Sequence, residues 1–267
     1  DEVSDCYNAY SILKTGRDEY GQFMPFFIRS FNIWNPPLAV YTLVPTIAIF
    51  GLNEFAIRLP SAVAGTLLVP LLYVFALKLF KDKNLALISA FFLAINPWAI
   101  HFSRFYHESN LTLFFSLLGL VLFLHADKKY FLYLLSALSW GVAINYSHGA
   151  KVIVPLLIII STILYLKFSK KTFKMIFLSV VILVISFLPH ILNTDVSLRR
   201  AGPVSIFTND VGGKKEKFID GYLSHFSGNF LFIRGDYQGR HSVPGVGELF
   251  IFQIPLVIFG LYSLIRM

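Results

Sequence analysis

The sequence predicts an all-α integral membrane protein, a polytopic helical bundle with juxtamembrane helices and one long external loop. Two observations predict it. Of 267 residues, 56% are hydrophobic and only 14% charged, with a mean hydropathy of +0.66. A soluble globular domain carries about 25% charged residues. The apolar residues also come in runs close to the roughly 20 that cross a bilayer. The net charge of +8 does not signal nucleic acid, because most Lys and Arg sit at the ends of apolar runs, where they set topology. The lone Cys6 excludes an internal disulfide. With no signal peptide and no Met start, the chain reads as a piece of a longer membrane protein.

Residues 2–15 come first. Val3, Cys6, Tyr7, Tyr10 and Leu13 recur at helical spacing and Gly16 is a stop, so the segment is expected as an amphipathic helix on the membrane surface. After a polar turn with Pro25, the stretch WNPPLAVYTLVPTIAIFGLNEF is apolar but holds Pro36, Pro37 and Pro45. It reads as a kinked span or as a second helix in the interface. Clearer spans are expected at 59–80, 85–102, 110–126, 130–147, 150–167, 174–192 and 247–265.

The ends of these spans alternate in character. KLFKDKN, HADKKY, KFSKKTFK and Arg266 are rich in Lys and Arg and are expected in the cytoplasm. SRFYHES, NYSHGAK and the long stretch after TDVSLRR are expected outside, with the opening acidic segment. Arg199, Arg200, Lys214, Lys215 and Lys217 run against the charge rule on that outer side. The expected division is a first external loop over 1–58, membrane helices over 59–192, an external loop over 193–246 and a last span over 247–267.

The outer ends gather the ionisable residues that the spans lack. They are Asp1 and Glu2, then Arg104, His107 and Glu108, then Tyr146, His148 and Lys151, then Asp236, Arg240 and His241. Ionisable groups near membrane depth are expensive and usually mark function. A carboxylate there can take a proton from an attacking hydroxyl or amine, and Arg, Lys or His can hold a departing phosphate. Asp5, Asp18 and Glu19 are expected in solvent, and Arg58 as a structural anchor of a span end. No His pair has i, i+4 metal spacing, so no metal site is assigned. A divalent ion between Asp1 and Glu108 is the one arrangement left open.

The acidic pair near the start, TGR, NPPLAVY and FGLNEFAIRLPSAVAGTLLVPLLY together resemble the protein O-mannosyltransferase and aminoarabinose transferase family. INPWAIHFSRFYHESNL and YLSHFSGNFLFIRGDYQGRHSVPGVGELF resemble its bacterial branch. The resemblance covers nearly the whole chain and implies a membrane glycosyltransferase of the GT-C fold. It implies a fragment without the family's first and C-terminal spans, and a juxtamembrane helix at WNPPLAVYTLVPTIAIF.

The resemblance further implies a hexosyltransferase that takes its sugar from a polyprenyl-phosphate donor. The acceptor would be a protein, lipid or glycan on the external face of the cell membrane. No resident cofactor is expected. Asp1 maps to the family's general base, with Glu2 beside it. Arg104 maps to the Arg of the external SR motif, and Glu108 to the acid after it, at a spacing one residue shorter. Arg104, Lys151 and Arg240 are expected to hold donor phosphate. His107, Tyr146, His148 and His241 are expected to bind substrate. In the aminoarabinose enzymes a Glu-Lys pair precedes the Pro of the first loop; Asn35 and Pro36 stand in those places here, so that branch's metal and phosphate contacts do not carry over. A non-catalytic lipid transporter or flippase is the alternative. Its expected mid-membrane charges are missing from the spans.

Overall fold

Helix α1 (Glu2–Thr15) ends where the sequence places its stop: Gly16 takes a φ of +69° and donates its N–H to the Ile12 carbonyl at 2.8 Å. This is a computed structural model, describing residues 2–30, 33–127, 129–165, 170–193 and 214–266. Asp1 and the stretch 194–213, including Arg199 and Arg200, lie outside the described residues.

Helix α1 turns a polar face to the protein. Val3 and Tyr7 are exposed, whereas Ser4, Asp5, Asn8, Ala9 and Ile12 turn inward. They meet a short antiparallel hairpin, β1 (Ile28–Ser30) and β2 (Ile33–Asn35), that an all-α reading omits. The contact is polar. The hydroxyls of Ser4 and Ser30 are 2.6 Å apart, and the Asn35 amide donates to Asp5 Oδ1 at 2.8 Å. Asn8 donates to Glu19 Oε1 and accepts from the Glu19 N–H, each at 3.1 Å. Asp5 and Asp18 are therefore buried, each 3% exposed, and not solvated as expected. Asp18 Oδ1 accepts the N–H groups of Tyr20 and Gln22 and so shapes its own turn.

Pro36 and Pro37 open α2 (Pro37–Tyr41), which breaks at Thr42 into α3 (Leu43–Phe50). Together they are a short apolar pair, as expected of a juxtamembrane segment. Long helix α4 (Glu54–Phe80) follows, capped by Asn53, whose side chain accepts the Ala56 N–H at 2.9 Å. The stretch expected as one span at 85–102 is two helices, α5 (Lys83–Ile95) and α6 (Pro97–Arg104), bent by 54°. Asn96 makes the bend: it caps α6 through the Ala99 N–H, and Pro97 fits the first helical position.

Helix α7 (Glu108–His125) packs on α8 (Leu132–Ile144), which also packs on α10 (Lys170–Leu192). The α7–α8 seam is built on small residues. A Cβ on Gly119 would stand 2.5 Å from the Trp140 indole. Trp140 Nε1 donates to the Ser116 carbonyl at 3.1 Å, and Ser136 and Ser139 donate to the carbonyls of Gly119 and Phe115. Close backbones with hydroxyl bridges are how helices associate where lipid competes for apolar contact.

Helix α9 (Ala150–Tyr165), α11 (Lys214–Ser224) and α12 (Ile254–Arg266) complete the regular elements, with a π-helical turn at Asn229–Arg234 and a 3₁₀ turn at Ile251–Gln253. Among the described residues, Glu54–Phe80, Glu108–His125 and Thr172–Leu192 are long and apolar enough to cross a membrane, and the bent α5–α6 pair makes a fourth. The spans expected at 130–147, 150–167 and 247–265 appear as shorter apolar helices. Helix α8 buries one side, including Ser136, Trp140 and Ile144, between its neighbours and leaves Leu135 and Leu138 exposed.

Candidate functional site

The chemistry-bearing residues meet where the first loop, the start of α4 and the α6–α7 turn converge. Glu2 lies in the first turn of α1. Its Oε1 accepts from Arg58 Nε at 3.0 Å and from the Tyr106 N–H at 3.2 Å. Arg58 also reaches Glu54, one turn away on α4, at 3.0 Å. Glu2 thus ties the start of α1 to α4 and to the α6–α7 turn, and Arg58 anchors more than its own helix. Tyr106 fixes the turn from beneath: it is 2% exposed and donates its hydroxyl to the Ala39 carbonyl.

His107 caps α7, with Nδ1 accepting the Ser109 N–H at 3.2 Å. Its ring packs edge-on against Phe102 and Phe105. Glu108 Oε2 lies 3.6 Å from the same Nδ1. Burial pushes the His107 pKa below the usual histidine value; Glu108 pulls it back up, and His241 and Arg240 push it down again. The ring is therefore neutral near pH 7. A folded pKa below the unfolded one means that the stabilisation is complete above about 6.5, the unfolded value, and is lost as pH falls below it. Thermal stability is expected to fall on acidification from pH 7 to 5, and His107→Asn, which keeps an N-cap acceptor, is expected to flatten that slope.

The segment between α11 and α12 reaches the same turn. Asp236 Oδ2 is 2.9 Å from His241 Nδ1, and Asp236 Oδ1 accepts the Gln238 N–H at 3.0 Å. That backbone bond, with His241, holds the Asp236 pKa below the usual carboxylate value against the opposing effect of burial. Glu248 accepts the Asp236 N–H at 3.2 Å, and its pKa is raised by burial. Two contacts dock this unit on the membrane helices: His101 Nε2 donates to the Arg240 carbonyl at 3.2 Å, and Asn96 donates to the Glu248 carbonyl at 3.0 Å. Gly235, at φ +68°, has no room for a side chain, since a Cβ would meet the Val246 carbonyl at 2.5 Å.

Arg104 ends α6 at the rim of an apolar cleft of about 410 Å³ between α4, α5 and α6. Leu68, Val69, Leu93 and Ile100 line it. Gly65 lets α6 come close to α4, because a Cβ there would stand 1.9 Å from Ser103 Oγ. Thr66 and Pro70 also line the cleft. Pro70 has no N–H to give the Thr66 carbonyl, its i−4 acceptor.

Three further expected site residues are tied to other elements. Tyr146 is in the core, 4% exposed, with its hydroxyl 2.7 Å from Thr42 Oγ1 and its ring stacked on Phe115. His148 donates from Nε2 to the Trp34 carbonyl at 2.8 Å, and its Nδ1 accepts from Lys151 Nζ at 3.1 Å. His148 and Lys151 therefore brace β2 against the start of α9. Asp1 lies outside the described residues. What sequence reasoning missed is the inward polar face of α1. Ser4, Asn8 and Ile12 recur at i, i+4 and i+8, and that spacing was the available signal.

Comparison with known proteins bears on the whole arrangement. The family model described as dolichyl-phosphate-mannose-protein mannosyltransferase matches residues 35–192. No curated protein matches the chain. Among solved structures, the fold is similar to the apo crystal structure of ArnT from Cupriavidus metallidurans, at a TM-score of 0.56 and 16% identity. The match covers 86% of this chain and 44% of that one, so the chain spans less than half the length of ArnT.

Proposed function

Because the chain belongs to the dolichyl-phosphate-mannose-protein mannosyltransferase family, we propose that it forms part of a membrane glycosyltransferase. It moves a hexose from a polyprenyl-phosphate donor to an acceptor hydroxyl or amine at the external membrane face. The observation that carries this reading is the cleft that ends at Arg104. A greasy groove lined at one end by a cation suits a ligand that is part lipid and part anion, and Glu108, Arg240 and His241 gather around His107, three residues on from Arg104.

In this reading the acceptor oxygen or nitrogen attacks the anomeric carbon, and its proton passes to the Asp1 carboxylate. The bond from that carbon to the phosphate oxygen breaks, and polyprenyl phosphate leaves with the electron pair. One displacement inverts the sugar carbon. Arg104 stabilises the departing charge. Glu2, held by Arg58 and the Tyr106 amide, is the strut that fixes the start of α1, and Glu108 is the second acid. The acceptor is protein, lipid or glycan.

The test is transfer from radiolabelled polyprenyl-phosphate sugars in membranes carrying the protein. Arg104→Ala is expected to raise the donor KM by about 10- to 100-fold, the loss of one charge-assisted hydrogen bond. An unchanged donor KM would remove Arg104 from the site. No transfer from any donor by the wild-type protein would favour the flippase reading.

A further inference from the structure

At the opposite end of the bundle, about 30 Å along α4 from Arg58 by helical rise, the helices enclose a second cavity. It holds about 470 Å³ between the C-terminal ends of α4, α7 and α9. Its floor is apolar: Leu79, Phe123, Leu124 and Leu164. Its polar residues are Lys78, Lys81, Asp127 and Tyr165. Among the described lining residues two lysines stand against one acid, Asp127, whose carboxylate accepts from the Tyr133 hydroxyl. Nothing in the glycosyl-transfer reading uses it.

Lys81 has a backbone feature of its own. It is the C-cap of α4, at φ 57° and ψ 20°, with its N–H on the Leu77 carbonyl. That left-handed conformation penalises any side chain and favours glycine. After α1 and α3 this chain uses glycine at positive φ, Gly16 and Gly51. After α4 it keeps a lysine, whose side chain lines the cavity.

We propose that this cavity binds the phosphate headgroup of an anionic membrane phospholipid. Lys78 and Lys81 take the phosphate oxygens, Tyr165 adds a hydroxyl, and the apolar floor receives the upper acyl chain. Several features favour a lipid over a soluble anion. The cavity opens at the Lys-rich membrane end, its polar groups sit on an apolar base, and basic pockets between membrane helices are suited to such headgroups.

The experiment is native mass spectrometry of the solubilised protein titrated with phosphatidylglycerol, phosphatidylcholine or inorganic phosphate. Phosphatidylglycerol is expected to be retained in preference to phosphatidylcholine. Lys78→Gln and Lys81→Gly are each expected to weaken that retention about fivefold, the share of one lysine near a membrane surface. Lys81→Gly removes the strained side chain, so its lipid-free melting temperature should match or exceed wild type, and lost binding there cannot be lost folding. Lys129→Gln, outside the cavity lining, should leave retention unchanged. Equal retention of both lipids, unchanged retention in Lys81→Gly, or an equal loss in Lys129→Gln overturns the proposal. So does displacement of the lipid by an equal concentration of inorganic phosphate.

Discussion

Gly119→Val is expected to prevent the protein from assembling into its folded bundle. A Cβ at this position would sit 2.5 Å from Cδ1 and Nε1 of Trp140, well inside contact distance. The indole has nowhere to go. It is 3% exposed, packs on Phe123, and donates Nε1–H to the Ser116 carbonyl. Moving it leaves that buried N–H unpaired, which costs about 1–3 kcal/mol, on top of about 1–3 kcal/mol of overpacking strain. The carbonyl of Gly119 also accepts from Ser136, so the backbone cannot shift freely either. Size-exclusion profile and thermal melting in detergent measure the outcome. Gly260→Ala, at a position with open space around it, is the control and should melt at or slightly above wild type. A monodisperse Gly119→Val protein with wild-type melting would show that α7 and α8 do not meet this closely.

Asp1→Asn is the second large effect, expected on the reaction and not on the fold. The substitution keeps shape and removes the proton acceptor, so kcat should fall about 10²- to 10⁴-fold with the donor KM little changed. Glu2 is unsuited to replace it: its Oε1 is already committed to Arg58 and the Tyr106 amide. Single-turnover transfer in membranes, with insertion checked by glycosylation-independent labelling, reads the effect. Unchanged kcat would move the base to Glu108.

The sequence made the helical membrane class, the limits of α1 and the gathering of charge at one end legible, because each leaves a local mark. Glycine after Thr15 marks a helix end, and Lys-rich turns mark a membrane side. The burial of Asp5 and Asp18 was misread for a physical reason: what receives them, the Asn35 amide and the N–H groups of Tyr20 and Gln22, is set by the folded loop and leaves no periodic mark in the sequence. The break at Asn96 left only a Pro after an Asn inside an apolar run, easily read through as one span. Tyr146 and His148 were expected in the site, yet their partners are Thr42, Phe115 and Trp34, more than 30 positions away in the chain. No local pattern carries such pairings.

The mounting of α1 on the hairpin has a consequence for how this protein can vary. Greasy contacts tolerate drift, since one aliphatic residue replaces another with modest repacking. Ser4 with Ser30, Asp5 with Asn35 and Asn8 with Glu19 form directional joints that admit few substitutes. A change in one member leaves the other without its partner. Across descendants of this chain the two members of each joint should therefore be inherited as couples. This end of the molecule should evolve by linked replacement, while the exposed apolar surfaces of α4 and α10 drift one residue at a time.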